Sequence, residues 1–186
     1  IAAAGKLPVV LGGEHTVTIG AVRAIAEATA RGSIAAAHAA TGRTAPGAPL
    51  AIVQVDAHAD LRGEYQGSRY SHACVMRRLV EETGCELTQV GIRSLCAEED
   101  AFIGGHPGRV RTFFADEIHA DPAGGWLGEL AARLAGRSVY LTIDVDGKKL
   151  DFSAGKILRN NRGILATNGR IHSRVLEIIA NLAIQK

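Results

Sequence analysis

The chain has 186 residues, of which 47% are hydrophobic and 4% aromatic, and its 21 basic and 19 acidic residues leave a net charge of +2. This composition predicts one globular domain with a core of alanine, valine, isoleucine and leucine. The charges are interspersed and no stretch approaches ~20 apolar residues in a row, so we expect no nucleic acid and no membrane as partner, and a cytoplasmic location. Cys74, Cys85 and Cys96 show no paired spacing and are predicted to be reduced, mostly buried residues.

Hydrophobic periodicity predicts strands and helices that alternate along the chain. The predicted strands are 8–11, Ala51–Val55, 87–92, Val110–Phe114 and Val139–Ile143. The predicted helices are 16–30, 72–84, 96–102, 123–135 and 172–184. Such alternation is typical of an α/β fold with three αβα layers, in which a mostly parallel sheet is covered by helices on both faces.

Several polar or aromatic side chains are predicted to have no role in a site. Residues 32–50, rich in alanine, glycine and proline, are expected to form a surface loop that includes a solvated His38. Arg77 and Arg78 are expected on a solvated helix face, and Trp126 is expected to be a core or sheet-facing anchor.

An acidic pentapeptide, Asp-Ala-His-Ala-Asp, directly follows the predicted strand Ala51–Val55. In an extended chain, Asp56, His58 and Asp60 point to one face while the two alanines point to the other. Crowding carboxylates at the rim of an apolar core is costly unless a cation neutralises them, so the pattern indicates a metal site. Taken alone, it is equally typical of a polar strand end followed by a solvated turn.

Two further strand ends carry possible metal ligands. Val139–Ile143 is followed by Asp144 and Asp146, again two residues apart and on one face. Four carboxylates exceed the charge of one divalent ion and match the charge of two. The predicted strand 8–11 leads through a Gly-Gly turn to His15 at the start of a helix. In a parallel sheet these ligands lie at the carboxyl edge, where ligands bind.

The order of these motifs resembles that of the ureohydrolase family, the arginases and agmatinases. The motifs are LGGEH at 11–15, DAHAD at 56–60, SHAC at 71–74 and DVD at 144–146, and the resemblance covers about residues 5 to 147. The run 60–74 is more similar to agmatinases than to arginases. The resemblance implies an arginase-like fold and a hydrolase of polyamine biosynthesis that converts agmatine to putrescine and urea. A guanidino acid such as guanidinobutyrate is the second choice of substrate.

The resemblance also implies two Mn2+ ions and a catalytic histidine. The six expected ligands are Asp56 and Asp144, which bridge the ions, His15 and Asp60 on one ion, and His58 and Asp146 on the other. Water between the ions is expected to lose a proton near neutral pH and to attack the guanidinium carbon, after which His72 protonates the departing amine. Oxygen-rich ligation with some imidazole favours Mn2+ over Zn2+.

Two other classes of protein stay open. Deacetylases with an arginase-like fold use one zinc and an Asp, His, Asp set, but the second acidic pair and His15 argue against this class. The other class is a homologue that has lost turnover, or that acts only by assembling with intact subunits. We expect the protein to form a homo-oligomer.

The resemblance divides the chain at Gly147. Residues 1–147 are predicted to form the ureohydrolase-like α/β core, and residues 148–186 a divergent, partly helical segment of the same domain. The family continues with an Asp-Pro dipeptide and keeps a late carboxylate that holds the guanidinium group, and neither is matched after Gly147. We therefore expect a fold that is incomplete at both ends, and weak agmatine hydrolysis because the substrate lacks this positioning contact.

Overall fold

The computed structural model describes residues 8–12, 14–30 and 49–144. Within these ranges the strands are β1 (Ala51–Val55), β2 (Glu86–Ile92), β3 (Val110–Phe114) and β4 (Val139–Ile143). The helices are α1 (Val17–Ala30), α2 (Val75–Thr83), α3 (Ala97–Gly105), α4 (Ala115–Ala120) and α5 (Gly125–Leu134). A short 3-10 turn, His72–Cys74, leads directly into α2. Helices thus separate the consecutive strands from β1 to β4, as the sequence predicted.

The described strands form one parallel sheet in the order β3-β2-β1-β4. Parallel neighbours need crossover connections, which the helices between the strands provide. The pairing of β2 with β3 shifts between Val90 and Ile92, where Gly91 has a φ of 88°. This irregularity lies beside the end of β1, because the backbone N–H of Asp56 donates to the carbonyl of Val90 over 3.1 Å.

Helices cover both faces of this sheet. On one face, Ile52 of β1 and Leu87 of β2 are paired in register and belong to a buried cluster with Val22 of α1 and Leu79 of α2. On the other face, the ring of Phe113 lies 5.7 Å from that of Trp126 in α5. The prediction of three αβα layers is therefore confirmed, and Trp126 contacts the sheet as expected. None of the described helices is both long enough and apolar enough to cross a membrane.

The strand predicted at residues 8–11 is not formed. Residues 8–12 are irregular, and they pair with none of the four described strands. Val9, Val10 and Leu11 are 48%, 38% and 69% exposed. An apolar run adopts strand structure only when a neighbouring strand satisfies its backbone N–H and carbonyl groups, and the described sheet offers this run no such neighbour.

The prediction that Arg78 lies on a solvated helix face is wrong. Arg78 is 1% exposed, and its Nη2 lies 3.0 Å from Oε2 of Glu81. It follows Val75 by three residues in α2 and therefore shares the face that packs on the core. Arg77, in contrast, is half-buried and pairs with Glu81 and Glu98.

Some predictions fall on residues outside the described ranges. These are the loop with His38, Asp146 and the helix at 172–184. Within the described ranges, α4 was not predicted, because a helix of six residues is too short to show a periodic apolar face.

The end of α2 provides a test of the backbone conformation. Gly84 has a φ of 71°, a left-handed conformation that costs a residue with a Cβ about 1 kcal/mol. Gly84→Ala is therefore expected to lower the free energy of unfolding by about 1 kcal/mol in urea denaturation. An added Cβ meets no atom within 4 Å at Gly84 or at Gly128 in α5. Gly128→Ala is the matched control and should instead raise stability by about 0.5–1 kcal/mol. A change of stability in the same direction for both variants would contradict the left-handed conformation of Gly84.

Candidate metal centre

Two of the predicted acidic motifs lie side by side at the carboxyl edge of the sheet. β1 and β4 are parallel, and their last residues, Val55 and Ile143, are register partners. The next residue on each strand is an aspartate, Asp56 or Asp144. The backbone N–H of Asp144 donates to the carbonyl of Val55 over 3.0 Å, so the ladder continues past the strands and holds both backbones in place.

Four side chains from three motifs converge there. His15, Asp56, Asp60 and Asp144 each offer one donor atom, and these atoms all lie within 4.8 Å of one another. Nδ1 of His15 is central: it lies 2.7 Å from Oδ2 of Asp60, 3.4 Å from Oδ2 of Asp56 and 3.5 Å from Oδ2 of Asp144. The side chain of Asp144 is 26% exposed and that of Asp56 1%, so solvent reaches the cluster from the Asp144 side.

The donor set fits a divalent cation. Three carboxylates surround one imidazole, which can compensate at most one of their charges. Burying the remaining charge is costly unless a positive ion balances it. Three carboxylate oxygens with one imidazole nitrogen match the preference of Mn2+ more closely than that of Zn2+, which takes more nitrogen or sulfur.

The titration of the cluster follows from burial and crowding. Burial, together with the charges of Asp56 and Asp144, raises the pKa of Asp60 to about 6, although the hydrogen bond and the charge of His15 lower it. Burial also raises the pKa of Asp56. For His15, burial lowers the pKa, but the hydrogen bond to Asp60 and the surrounding negative charge outweigh it, so the pKa is raised. A cation that binds here must therefore displace protons.

Asp60 is held in an unusual backbone conformation. Its φ is 53°, in the left-handed region that residues with a Cβ rarely occupy. Its carbonyl accepts hydrogen bonds from the N–H groups of Met76 and Arg77 at the start of α2, over 3.0 and 3.3 Å. The next residue, Leu61, donates its N–H over 2.9 Å to Oε1 of Glu99, a buried carboxylate in α3. Two helices thus fix the point at which the chain turns Asp60 towards the cluster.

A contact of the second ring nitrogen, Nε2, orients the side chain of His15. It lies just before α1, and its carbonyl accepts the N–H of Thr18 over 3.0 Å. Nε2 lies 2.9 Å from Oγ1 of Thr142 in β4. When Nε2 carries the proton, it donates to Thr142 and leaves the Nδ1 lone pair available to a cation held among the carboxylates, as in histidines that bind metals.

The remaining predicted site residues are placed differently. The side chain of His58 is 51% exposed, and its Nδ1 lies 3.6 Å from Oδ1 of Asp56. The side chain of His72 is 53% exposed; its Nδ1 lies 3.0 Å from Oε1 of Glu14, and its ring meets that of Tyr65 edge-on at 5.5 Å. Asp146 lies outside the described residues.

The sequence reasoning missed several residues that hold the cluster. Gln54 donates from Nε2 to Oδ2 of Asp56 over 2.8 Å, and Thr142 contacts His15. Both are polar residues within otherwise apolar strands, each two residues before an aspartate of the cluster and thus on the same face as it. That spacing was the available signal. The contact of Glu99 with the Asp60 turn spans 38 residues and has no local signature.

The chain is similar in sequence to curated proteins. The N(1)-aminopropylagmatine ureohydrolase of Synechocystis sp. is 36% identical over 151 residues, which cover 81% of this chain and 42% of that protein. The guanidinobutyrase of Pseudomonas aeruginosa is 30% identical over 146 residues, 77% of this chain and 40% of that protein. The chain therefore spans less than half the length of these curated relatives.

The solved structure of the agmatine ureohydrolase of Thermoplasma volcanium matches with a TM-score of 0.55 and 31% identity, over 82% of this chain and 44% of that one. A family model described as the arginase family matches residues 1–166. The resemblance drawn from the motifs and the prediction of an arginase-like fold are confirmed: this chain belongs to the arginase family.

Proposed function

We propose that the protein is a binuclear manganese hydrolase that cleaves a guanidino substrate, with agmatine as the preferred one. The observation that carries this proposal is the convergence of His15, Asp56, Asp60 and Asp144 within 4.8 Å at the carboxyl edge of the sheet. The names of the relatives support the substrate class, since they include a ureohydrolase and a guanidinobutyrase. The name of the guanidinobutyrase keeps a guanidino acid as the second candidate.

The contacts of Asp56 support its role as a bridge between two ions. Its Oδ2 lies 3.4 Å from Nδ1 of His15, and its Oδ1 lies 3.6 Å from Nδ1 of His58. Its two oxygens thus face two different histidines. In the proposed site, Asp56 and Asp144 would be shared by the two ions. His15 and Asp60 would hold the first ion, and His58 and Asp146 would hold the second.

The side chains around the ions have separate roles in the proposed reaction. When bound, the ions supply Lewis acidity and lower the pKa of water enough for hydroxide to form near neutral pH. The carboxylates balance the ionic charge, and the exposed side of Asp144 is where a cationic guanidinium group reaches the cluster. Glu14 holds His72 by Nδ1, which leaves Nε2 available to protonate the departing amine.

The names of the similar proteins favour agmatine over guanidinobutyrate, since they include an N(1)-aminopropylagmatine ureohydrolase and an agmatine ureohydrolase. The conversion of agmatine to putrescine and urea, the cytoplasmic location and the homo-oligomer are parts of the same proposal. The boundary at Gly147 and the weak turnover expected of this chain stay predictions.

Metal analysis tests the cluster directly. The protein, loaded with Mn2+ and dialysed, is expected to retain about two ions per chain, and Asp56→Ala is expected to lose both because Asp56 bridges them. Asp100→Ala, which removes an exposed carboxylate of α3, should retain the wild-type content. A single zinc in the dialysed protein, or equal loss in both variants, would overturn the binuclear proposal.

The pH dependence of metal binding follows from the raised pKa values. Mn2+ binds the deprotonated forms of Asp60 and His15, and the pKa of Asp60 is about 6. As the pH falls through this range, protons compete with the ion, so Mn2+ affinity is expected to fall by about tenfold or more per pH unit below 6. Calorimetric titrations between about pH 5 and 8 measure it. An affinity independent of pH would mean that these groups are not ligands.

Urea release tests the reaction and the role of His72. With Mn2+ present, we expect slow release that is faster from agmatine than from guanidinobutyrate. His72→Ala should reduce it by about 100-fold, because a general acid contributes at least that much, without changing the Mn2+ content. His119→Ala, which removes an exposed histidine in α4, is the control and should leave the rate unchanged. Equal rates for these two variants would contradict the assignment of His72.

A further inference from the structure

A row of buried polar side chains crosses the sheet beneath the cluster. Its members are paired in register on the four strands: Thr112 on β3, Gln89 on β2, Gln54 on β1 and Thr142 on β4. They are 2%, 0%, 0% and 5% exposed. Polar groups buried in this way are costly unless each finds a hydrogen-bond partner, so the hydrogen bonds of this row indicate what it does.

Three of these side chains form a continuous chain of hydrogen bonds to a carboxylate of the cluster. The hydroxyl of Thr112 donates to Oε1 of Gln89 over 2.8 Å. Nε2 of Gln89 donates to Oε1 of Gln54 over 2.7 Å, and Nε2 of Gln54 donates to Oδ2 of Asp56 over 2.8 Å. A hydroxyl on β3 is thus connected to Asp56 on β1.

The direction of every bond in this chain is fixed. The carbonyls of His58 and Ala59 accept second hydrogen bonds from Gln54 and Gln89, over 3.1 and 2.7 Å. Carbonyl and carboxylate oxygens only accept, so the NH2 group of each amide must face them. Each amide oxygen therefore faces away from Asp56, and the hydroxyl at the far end must donate. All amide hydrogens are used, which is the condition for a rigid buried network.

The chain fixes how Asp56 presents its oxygens. Oδ2 accepts from Gln54, and Oδ1 accepts from the backbone N–H of His58 over 2.9 Å. Each oxygen thus has one protein donor and keeps its remaining acceptor capacity for another partner. Without Gln54, the carboxylate would lose the contact that holds Oδ2 towards His15.

We propose that Thr112, Gln89 and Gln54 form a positioning relay that orients Asp56 for metal binding. The inference rests on the proposed metal function, which it extends to residues that bind no ion. Groups that hydrogen-bond to metal ligands typically contribute about 10- to 100-fold in metal affinity. The effect should decrease along the relay with distance from Asp56.

Mn2+ dissociation constants of relay variants test the proposal, measured by the electron paramagnetic resonance of free Mn2+ on folded, metal-free protein. Gln54→Met should weaken binding by about 10- to 100-fold, Gln89→Met by about 10-fold and Thr112→Val by about 5-fold. Thr112→Ser keeps the hydroxyl and should restore the wild-type constant. If Thr112→Val does not fold, Gln89→Met provides the same test.

Thr88→Val is the matched control for a purely structural effect. Thr88 is the neighbour of Gln89 in β2, is 3% exposed and accepts a hydrogen bond from Arg133 on the opposite face. Its variant also loses a buried hydroxyl, so its thermal midpoint should fall about as much as that of Thr112→Val, with Mn2+ affinity unchanged. Equal weakening of Mn2+ binding in the two valine variants would overturn the relay.

Asp56→Ala separates the two proposals. If it loses Mn2+ while Gln89→Met and Thr112→Val bind as the wild type does, the relay is wrong and the metal function stands. If the wild type binds no Mn2+, or Asp56→Ala binds as tightly as the wild type, both proposals fail. A graded loss along the relay, with Thr88→Val unaffected, supports both.

Discussion

Repulsion among three carboxylates around one imidazole nitrogen is the constraint on which the rest of this structure depends. Asp56, Asp60 and Asp144 all approach Nδ1 of His15 within 3.5 Å, and the first two are buried. A protein interior does not keep such charge together without compensation. Burial, and to a smaller extent the charges of Asp56 and Asp144, raise the pKa of Asp60 to about 6. A cation that displaces the protons would neutralise the carboxylates, so their crowding would favour binding of the cation.

The fold holds the carboxylates against this repulsion from two sides. From below, the sheet supplies Gln54 to Asp56 and Thr142 to His15, each within 2.9 Å. From the side, the starts of α2 and α3 fix the left-handed turn at Asp60. Strain at one residue persists only where its surroundings determine it several times over, and these contacts come from different elements. The sheet and these helices pack on the same apolar core, which fixes their relative positions.

The cluster forms within a chain that spans less than half the length of its arginase-family relatives. Its four side chains come from the start of α1 and from the ends of β1 and β4. Holding ions and holding a substrate are separate tasks in such a site, because charge balance needs only the ligands, whereas orientation needs further contacts with the substrate. Metal content and turnover therefore report on different properties of a site of this kind.

The sequence alone predicted the alternation of strands and helices, the parallel sheet and the acidic strand ends, because these depend on local periodicity and on the direction of each strand. Two predictions from the sequence were wrong: residues 8–11 are irregular instead of forming a strand, and Arg78 is buried instead of solvated. Local patterns do not determine these features, because strand pairing and helix packing depend on neighbours distant in sequence. Likewise, the motifs supplied the candidate ligands, but their spacing could not show that Asp60 turns through a left-handed residue to meet His15. Only the tertiary structure joins Thr112 to Asp56, since a row of side chains across three strands exists only once those strands are in register.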